Sequence, residues 1–190
     1  AALCLRDRFT GWTGGGSTKT KGEADSIMSL MRFSGREPVR EIRSDCSKEL
    51  IAAAGAVLAN HSTATPYRPS SNGESEALVA DTINHTTACL YTSGIPHQGW
   101  PYALDYYHIC FNILEPYTQP GTNDTSLATP YERRFRNTFT GSLVPLGSAL
   151  QFKLVDKKSK RTRRKFDSKL FEGVMLGLHV NPGGLLSGDY

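Results

Sequence analysis

Two carboxylates stand where they could take part in metal chemistry. Asp45 follows residues 39–43, which we predict to be a short strand, and the carboxyl ends of strands in open α/β sheets are where ligands collect. Glu76 follows a proline-rich loop and lies in the first turn of a predicted helix, where the helix dipole keeps a carboxylate ionised. Two carboxylates from different elements can bind Mg²⁺, which prefers oxygen ligands and keeps water for a phosphate substrate.

The same two residues also have a simpler interpretation. Asp45 could merely end a strand, and Glu76 could merely stabilise the start of a helix. Glu74, two residues earlier, is a competing acid at the same helix start.

Positive charge is concentrated near the C-terminal end. The formal net charge of the chain is +4, yet residues 153–169 alone carry nine basic and two acidic residues. The densest part has seven basic residues and no acid: Lys157, Lys158, Lys160, Arg161, Arg163, Arg164 and Lys165. Such a segment is typical of binding to a polyanion such as nucleic acid, although a solvated basic loop or a localisation signal has the same composition.

The remaining composition indicates a globular protein of a reducing compartment. Four cysteines, Cys4, Cys46, Cys89 and Cys110, are widely spaced and form no zinc motif, so we expect free thiols in the nucleus or cytoplasm rather than a secreted protein. No apolar run is long enough to span a membrane. The sequence opens in a predicted strand without an initiator Met, so we expect a fragment of a longer protein.

The chain is predicted to have an α/β part, residues 1–138, and a small β domain, residues 139–190. Strands are expected at residues 1–5, 39–43 and 61–64, and a Gly-rich loop at residues 13–21. Apolar spacing and capping signals predict helices at residues 24–33, 50–59, 74–91, 101–114 and 129–135. In the last part, the apolar runs 150–155 and 173–180 alternate with turns and with the basic segment, a pattern that favours strands.

Several motifs in order resemble the integrase of copia-type (Pseudoviridae) retrotransposons. RSD at residues 43–45, TPYRP-x-x-NGESE at residues 65–76, IPHQGW at residues 95–100 and TPYERRF at residues 129–135 are similar to that family's motifs. DRFTGW at residues 7–12 is similar to a strand end of the family. Residues 165–177 resemble the SH3-like domain that follows the integrase core in the family's Pol polyprotein.

The resemblance implies an RNase H-like core that lacks its first strand, followed by an SH3-like β-barrel. It implies DNA integration by strand transfer, in which an Asp-Asp-Glu triad holds two Mg²⁺ (or Mn²⁺) ions. Asp45 matches the second Asp and Glu76 matches the Glu, so both are implied to be catalytic metal ligands. The first Asp belongs on a strand before residue 1, while Asp7 matches a non-catalytic position. The implied partners are the element's DNA ends and target DNA, and a homo-oligomer is compatible with this function.

The sequence also departs from the family pattern. Thirty residues separate Asp45 from Glu76, where the family has about 35. Asp81 stands where the family commonly has Arg, and an acid opposes contact with DNA phosphates. We therefore expect this chain to be inactive alone, and whether it is an enzyme stays open.

Two alternative functions follow from other features of the sequence. The first is a non-catalytic nucleic-acid-binding module that uses the basic segment. The second is a protein scaffold that presents Trp100, Tyr106 and Tyr107, although their helical spacing favours a place in the core.

Overall fold

The computed structural model describes residues 1–63, 73–123, 125–153 and 170–187. The strands there are β1 (Ala2–Arg6), β2 (Thr13–Ser17), β3 (Glu41–Ser44), β4 (Asn60–Thr63), β5 (Ala149–Phe152) and β6 (Phe171–Val174). The α-helices are α1 (Glu23–Ser34), α2 (Lys48–Ala56), α3 (Gly73–Ser93), α4 (Trp100–Leu114) and α5 (Pro130–Phe135), and a short 3₁₀ helix, His97–Gly99, precedes α4. From β2 to α3, strands and helices alternate along the chain, which confirms the predicted α/β class.

Within the described residues, the strands form three separate pairs. β1 and β2 make an antiparallel hairpin, in which Cys4 faces Gly15. β3 and β4 are parallel, with α2 as the crossover between them. β5 and β6 are antiparallel. Each strand thus has one partner in the described part of the chain, and β1 is not joined to β3.

The predicted loop at residues 13–21 is wrong at its start, because residues 13–17 form strand β2. Three glycines, Gly14 to Gly16, have low strand propensity, and pairing with β1 imposes the strand on them. Gly15 has a φ of 147°, and a Cβ there would overlap the carbonyl oxygen of Leu3. A Cβ on Gly14 would lie 2.9 Å from the Phe33 ring, whereas one on Gly16 would meet nothing within 4 Å.

A buried side-chain amide fixes β2 to α4. Asn112 Oδ1 accepts the Thr13 N–H at 2.8 Å, and its Nδ2 donates to the Thr13 carbonyl at 2.7 Å. Asn112 is 1% exposed, so the amide satisfies both backbone groups of Thr13 where water has no access.

Helix α5 begins as its sequence predicts. The Thr129 hydroxyl accepts the Glu132 N–H, and the Glu132 carboxylate accepts the Thr129 N–H in return, which is a capping box. From the same helix, Arg134 donates to the Gly183 carbonyl at 2.9 Å and to the Phe33 carbonyl at 3.1 Å. α5 therefore joins the end of α1 to the turn at residues 182–184.

The segment after residue 139 contacts the α/β part, since a Cβ on Gly147 would overlap the Ser93 carbonyl oxygen at the end of α3. Within the segment, Leu146 and Met175 are 6% and 2% exposed, and the Gly147 N–H donates to the Met175 carbonyl. No closed barrel is present among the described residues, which contribute β5, β6 and one isolated bridge between Val180 and Leu186 there. The domain boundary near residue 139 and the SH3-like barrel stay predictions.

Candidate functional site

An open cleft of about 870 Å³ runs between β1 and β3. Residues 2–5 of β1 and residues 42–44 of β3 border it on two sides. Helix α3 provides a wall, from Ser75 at its start to Leu90 near its end. Among the other lining residues are Leu30, Leu50 and Leu104, so most of the lining is apolar.

Asp45 and Glu76, the two predicted metal ligands, both line this cleft. Asp45 follows the last residue of β3 and is exposed, and Glu76 is exposed in the first turn of α3. The fold therefore brings both carboxylates to one cleft although they come from different elements.

Part of the Asp45 carboxylate supports the local backbone. Its Oδ1 accepts the Ser47 N–H at 3.2 Å, and Ser47 is the residue that caps α2. Oδ1 therefore has the structural role that the simpler interpretation gives to Asp45 after the end of the strand. Because a carboxylate has two oxygens, this bond is compatible with a metal ligand at Oδ2.

The competing acid at the start of α3 has another role. Glu74 Oε1 accepts a hydrogen bond from the Arg8 guanidinium at 3.1 Å, and both side chains are more than half exposed. Glu74 does not line the cleft, whereas Glu76 does. Of the two acids that the sequence left open, Glu76 is the one that lines the same cleft as Asp45.

Asp7 supports the turn that joins β1 to β2. Its carboxylate accepts the Phe9 N–H at 3.1 Å and the hydroxyl proton of Thr10. Both bonds are local, as expected for a turn residue.

The donor set of the cleft suits a partly hydrated cation. Within the described ranges, no group of three or more His, Cys, Asp or Glu residues is placed to hold a metal ion. Asp45 and Glu76 provide two carboxylates, and Mg²⁺ commonly binds through one or two carboxylates while water fills its other positions. Two carboxylates are enough in number for a single hydrated ion, whereas a pair of ions needs further ligands.

Sequence reasoning missed a polar pair beside Asp45. Ser44 Oγ donates to the Asp45 carbonyl at 2.8 Å and lies 2.9 Å from Nε2 of His61 on β4. The parallel register pairs Ile42 with His61. The sequence signal for this polar pair was the run HST, which lies within the predicted strand at residues 61–64.

A buried histidine was missed as well. His108 is 4% exposed, its Nδ1 lies 3.2 Å from Thr13 Oγ1, and its Nε2 has no hydrogen-bond partner. Burial, and to a smaller extent the nearby Arg6 guanidinium, lower the pKa of His108 to about 4. His108 and Asn112 share one face of α4 at the helical spacing of four residues, and this spacing in an apolar helix was the only hint.

The three aromatic residues of the scaffold hypothesis differ in exposure. Tyr107 is 5% exposed and stacks on His85 with the ring centroids 5.1 Å apart, which confirms its predicted place in the core. Tyr106 is half-buried, and burial is the main cause that raises its pKa to about 12. Trp100 is half-buried and lines the cleft.

The predicted nucleic-acid-binding residues lie outside the described residues. These are Lys157, Lys158, Lys160, Arg161, Arg163, Arg164 and Lys165. Lys153, just before them, is exposed after β5. Among the described helices, none is both long and apolar enough to cross a membrane.

Comparison with known proteins found similar solved structures and no match by sequence. No family model matches the sequence, and no curated protein matches it. The catalytic core domain of BIV integrase is similar at 16% identity and a TM-score of 0.48, over 70% of this chain and 84% of that one. A simian T-cell lymphotropic virus intasome in complex with the PP2A regulatory subunit B56 gamma is similar at 20% identity and a TM-score of 0.47. The alignment spans 90% of this chain and 60% of that one. Both TM-scores are below 0.5, so a functional assignment has to come from the residues of this chain.

Proposed function

We propose that this chain is a fragment of a copia-type retrotransposon integrase, with an RNase H-like core and a following SH3-like domain. Its ancestral reaction is metal-dependent DNA strand transfer, and Asp45 and Glu76 are the metal ligands. The observation that carries this proposal is that both residues, chosen from separate motifs, line the same cleft. The order of the motifs along the sequence supports the choice of family.

The proposed reaction gives different roles to three residues of the cleft. Asp45 and Glu76 supply negative oxygen ligands, and Arg43 brings a positive charge to the same cleft. A bound Mg²⁺ or Mn²⁺ ion would lower the pKa of a bound hydroxyl and stabilise charge on the leaving oxygen. Glu76 lies in the first turn of α3, where the positive end of the helix dipole attracts a negative side chain.

The proposal also explains why the chain should be inactive alone. Two-metal strand transfer needs a ligand that bridges both ions, and the described residues contain no group of three acidic, His or Cys side chains in position. The partner we propose is DNA, and the contact we propose for it is the basic segment.

Metal titration tests the assignment of the two carboxylates. We expect weak Mn²⁺ binding by the wild-type chain, and binding weaker by about tenfold or more in Asp45→Asn and in Glu76→Gln, since each change removes a charged ligand. The titration can be followed by the electron paramagnetic resonance signal of free Mn²⁺. Glu74→Gln is the matched control and should bind like wild type, because Glu74 pairs with Arg8 outside the cleft. Equal weakening by all three changes would show that only general surface charge attracts the ion.

A strand-transfer assay of the wild-type chain belongs to the same experiment. We expect no joining of a labelled DNA end to target DNA with either Mg²⁺ or Mn²⁺. Efficient joining would show that the ligand set is complete and that the proposed match of the triad is wrong.

A non-catalytic nucleic-acid-binding module is the second candidate. The excess of seven positive charges in residues 153–169 favours it. This candidate predicts DNA binding that is insensitive to Asp45→Asn and needs no divalent ion.

A further inference from the structure

Two consecutive hydrogen bonds connect β4 with the backbone of Asp45. His61 of β4 places its Nε2 2.9 Å from Ser44 Oγ, and Ser44 Oγ donates to the Asp45 carbonyl at 2.8 Å. The parallel register pairs Ile42 with His61 and Ser44 with Thr63. Because every second residue of a strand lies on the same face, His61 and Ser44 share a face, and His61 reaches diagonally to the last residue of β3.

The serine hydroxyl fixes the order of the protons along these bonds. A hydroxyl has one proton to donate, whereas a carbonyl oxygen can only accept. Because the Ser44 proton goes to the Asp45 carbonyl, Ser44 Oγ has to accept from His61. His61 therefore carries a proton on Nε2. The neutral Nε2–H form and the charged form of histidine both have that proton, so the bond does not require a charge on His61.

Asp45 is thereby held at both its backbone and its side chain. Its carbonyl accepts the Ser44 hydroxyl, and its Oδ1 accepts the Ser47 N–H at 3.2 Å. Asp45 is exposed, so packing alone does little to fix its side chain. The first bond holds the peptide unit after Asp45, the second holds the carboxylate, and together they set the direction of Oδ2.

We propose that His61 is a positioning residue, which acts through Ser44 to keep the Asp45 carboxylate in the orientation that binds the metal ion. This inference rests on the proposed function and deepens it, since it concerns the same metal site. Ser44 lines the cleft and His61 does not, so His61 contributes through its bond to Ser44 and not as a ligand. Groups that orient metal ligands in this way typically strengthen metal binding by about 10- to 100-fold.

Mn²⁺ titration of the full chain, followed by the electron paramagnetic resonance signal of the free ion, tests the role of the donor. His61→Leu removes the donor and should weaken binding by about tenfold. His61→Gln keeps an amide N–H near the position of Nε2 and should stay within about threefold of wild type. Ser62→Ala is the matched control on the same strand, since Ser62 donates to Glu41 on the opposite face and does not line the cleft.

Combined variants separate a positioning role from general damage to the fold. Ser44→Ala should weaken Mn²⁺ binding about as much as His61→Leu, and the double variant should be no weaker than either, because both changes break the same connection. In an Asp45→Asn background, His61→Leu should change the affinity by less than about twofold, since the ligand that it orients is already lost. Circular dichroism should show every variant folded.

The proton order can be read in the absence of metal. NMR spectra of the ring nitrogens distinguish a histidine protonated on Nε2 from one protonated on Nδ1 alone. We expect a proton on Nε2 of His61 in the wild-type chain. Ser44→Ala removes its acceptor, so that proton should exchange faster with water in the variant.

The outcomes distinguish this inference from the proposed function. Weaker Mn²⁺ binding in Asp45→Asn with unchanged binding in His61→Leu would overturn the positioning role alone. Unchanged binding in both variants would overturn the metal site and the positioning role together. Equal weakening by His61→Leu, His61→Gln and Ser62→Ala would assign the loss to damage of β4, and a His61 ring without a proton on Nε2 would exclude the bond to Ser44.

Discussion

His108 stays neutral inside the molecule because burial makes its charged form costly. It lies among Thr13, the Tyr107 ring at 5.2 Å between centroids, and the positive charge of Arg6. No carboxylate is a cause of its pKa shift. Protonation of its imidazole would therefore place an unpaired charge beside the junction of β2 and α4.

The first prediction concerns the pH dependence of stability. The pKa of His108 is about 4 in the folded chain and about 6.5 in an unfolded chain. The unfolded state thus binds more protons between these values, and stability falls as pH falls from about 6.5 to about 4. Such a shift corresponds to about 3 kcal/mol across this window. Urea unfolding at a series of pH values measures it.

The variant His108→Gln removes the titrating group. The free energy of unfolding should then depend less on pH between these values. His97→Gln, at an exposed position, is the control and should keep the wild-type slope. If His108→Gln also kept the wild-type slope, other groups would cause the acid sensitivity.

At the scale of elements, α5 is a short helix that holds three parts of the chain together. Besides its bonds to the carbonyls of Phe33 and Gly183, Arg134 lies over the rings of Trp12 and Phe33, 5.3 and 5.7 Å from their centroids. Burial lowers the pKa of Arg134, yet arginine stays charged in proteins. Its guanidinium thus satisfies carbonyls that have little access to water.

We expect Arg134→Met to lower the free energy of unfolding by about 2–4 kcal/mol, since the change leaves two carbonyls without a charged donor. Thermal or urea unfolding measures the loss. Arg133→Met on the same helix is the control, because Arg133 donates to the exposed Ser126 hydroxyl and, at a long 3.4 Å, to the Ala128 carbonyl, so its loss should cost less, about 1 kcal/mol. Equal losses would mean that Arg134 contributes no more to stability than the half-buried Arg133.

The elements also show what a sequence can and cannot predict. The five helices follow from apolar spacing and local signals, such as Thr129 with Glu132 at the start of α5. β2 could not be predicted, because three glycines carry no strand signal and its partner β1 makes it a strand. Motifs predict Asp45 and Glu76 as candidate ligands, while the cleft that both residues line depends on tertiary packing.

At the scale of the whole molecule, positive charge is separated from the candidate metal ligands along the sequence. Residues 153–169 carry an excess of seven positive charges, and the rest of the chain has an excess of three negative ones. A segment of this kind contacts phosphates without reading bases. DNA affinity should therefore depend steeply on salt and weakly on DNA sequence.

If the basic segment neutralises about four phosphates, the slope of log affinity against log salt should be about −3.6 on duplex DNA. Changing Arg161, Arg163 and Arg164 together to Ala should flatten the slope by about two to three units, at about 0.9 per lost contact. Fluorescence anisotropy at several salt concentrations measures both slopes. A triple variant with the wild-type slope would assign the segment to solvated surface.

The three consecutive glycines of β2 differ in whether the fold has space for a side chain. The substitutions found at these positions can therefore show whether a gene is under selection for folding. Any side chain at Gly15 collides with the backbone of β1, one at Gly14 crowds Phe33, and one at Gly16 has open space. In related sequences still selected for folding, substitutions should accumulate at position 16 and be rare at position 15. In related sequences without that selection, substitutions should be equally frequent at both positions.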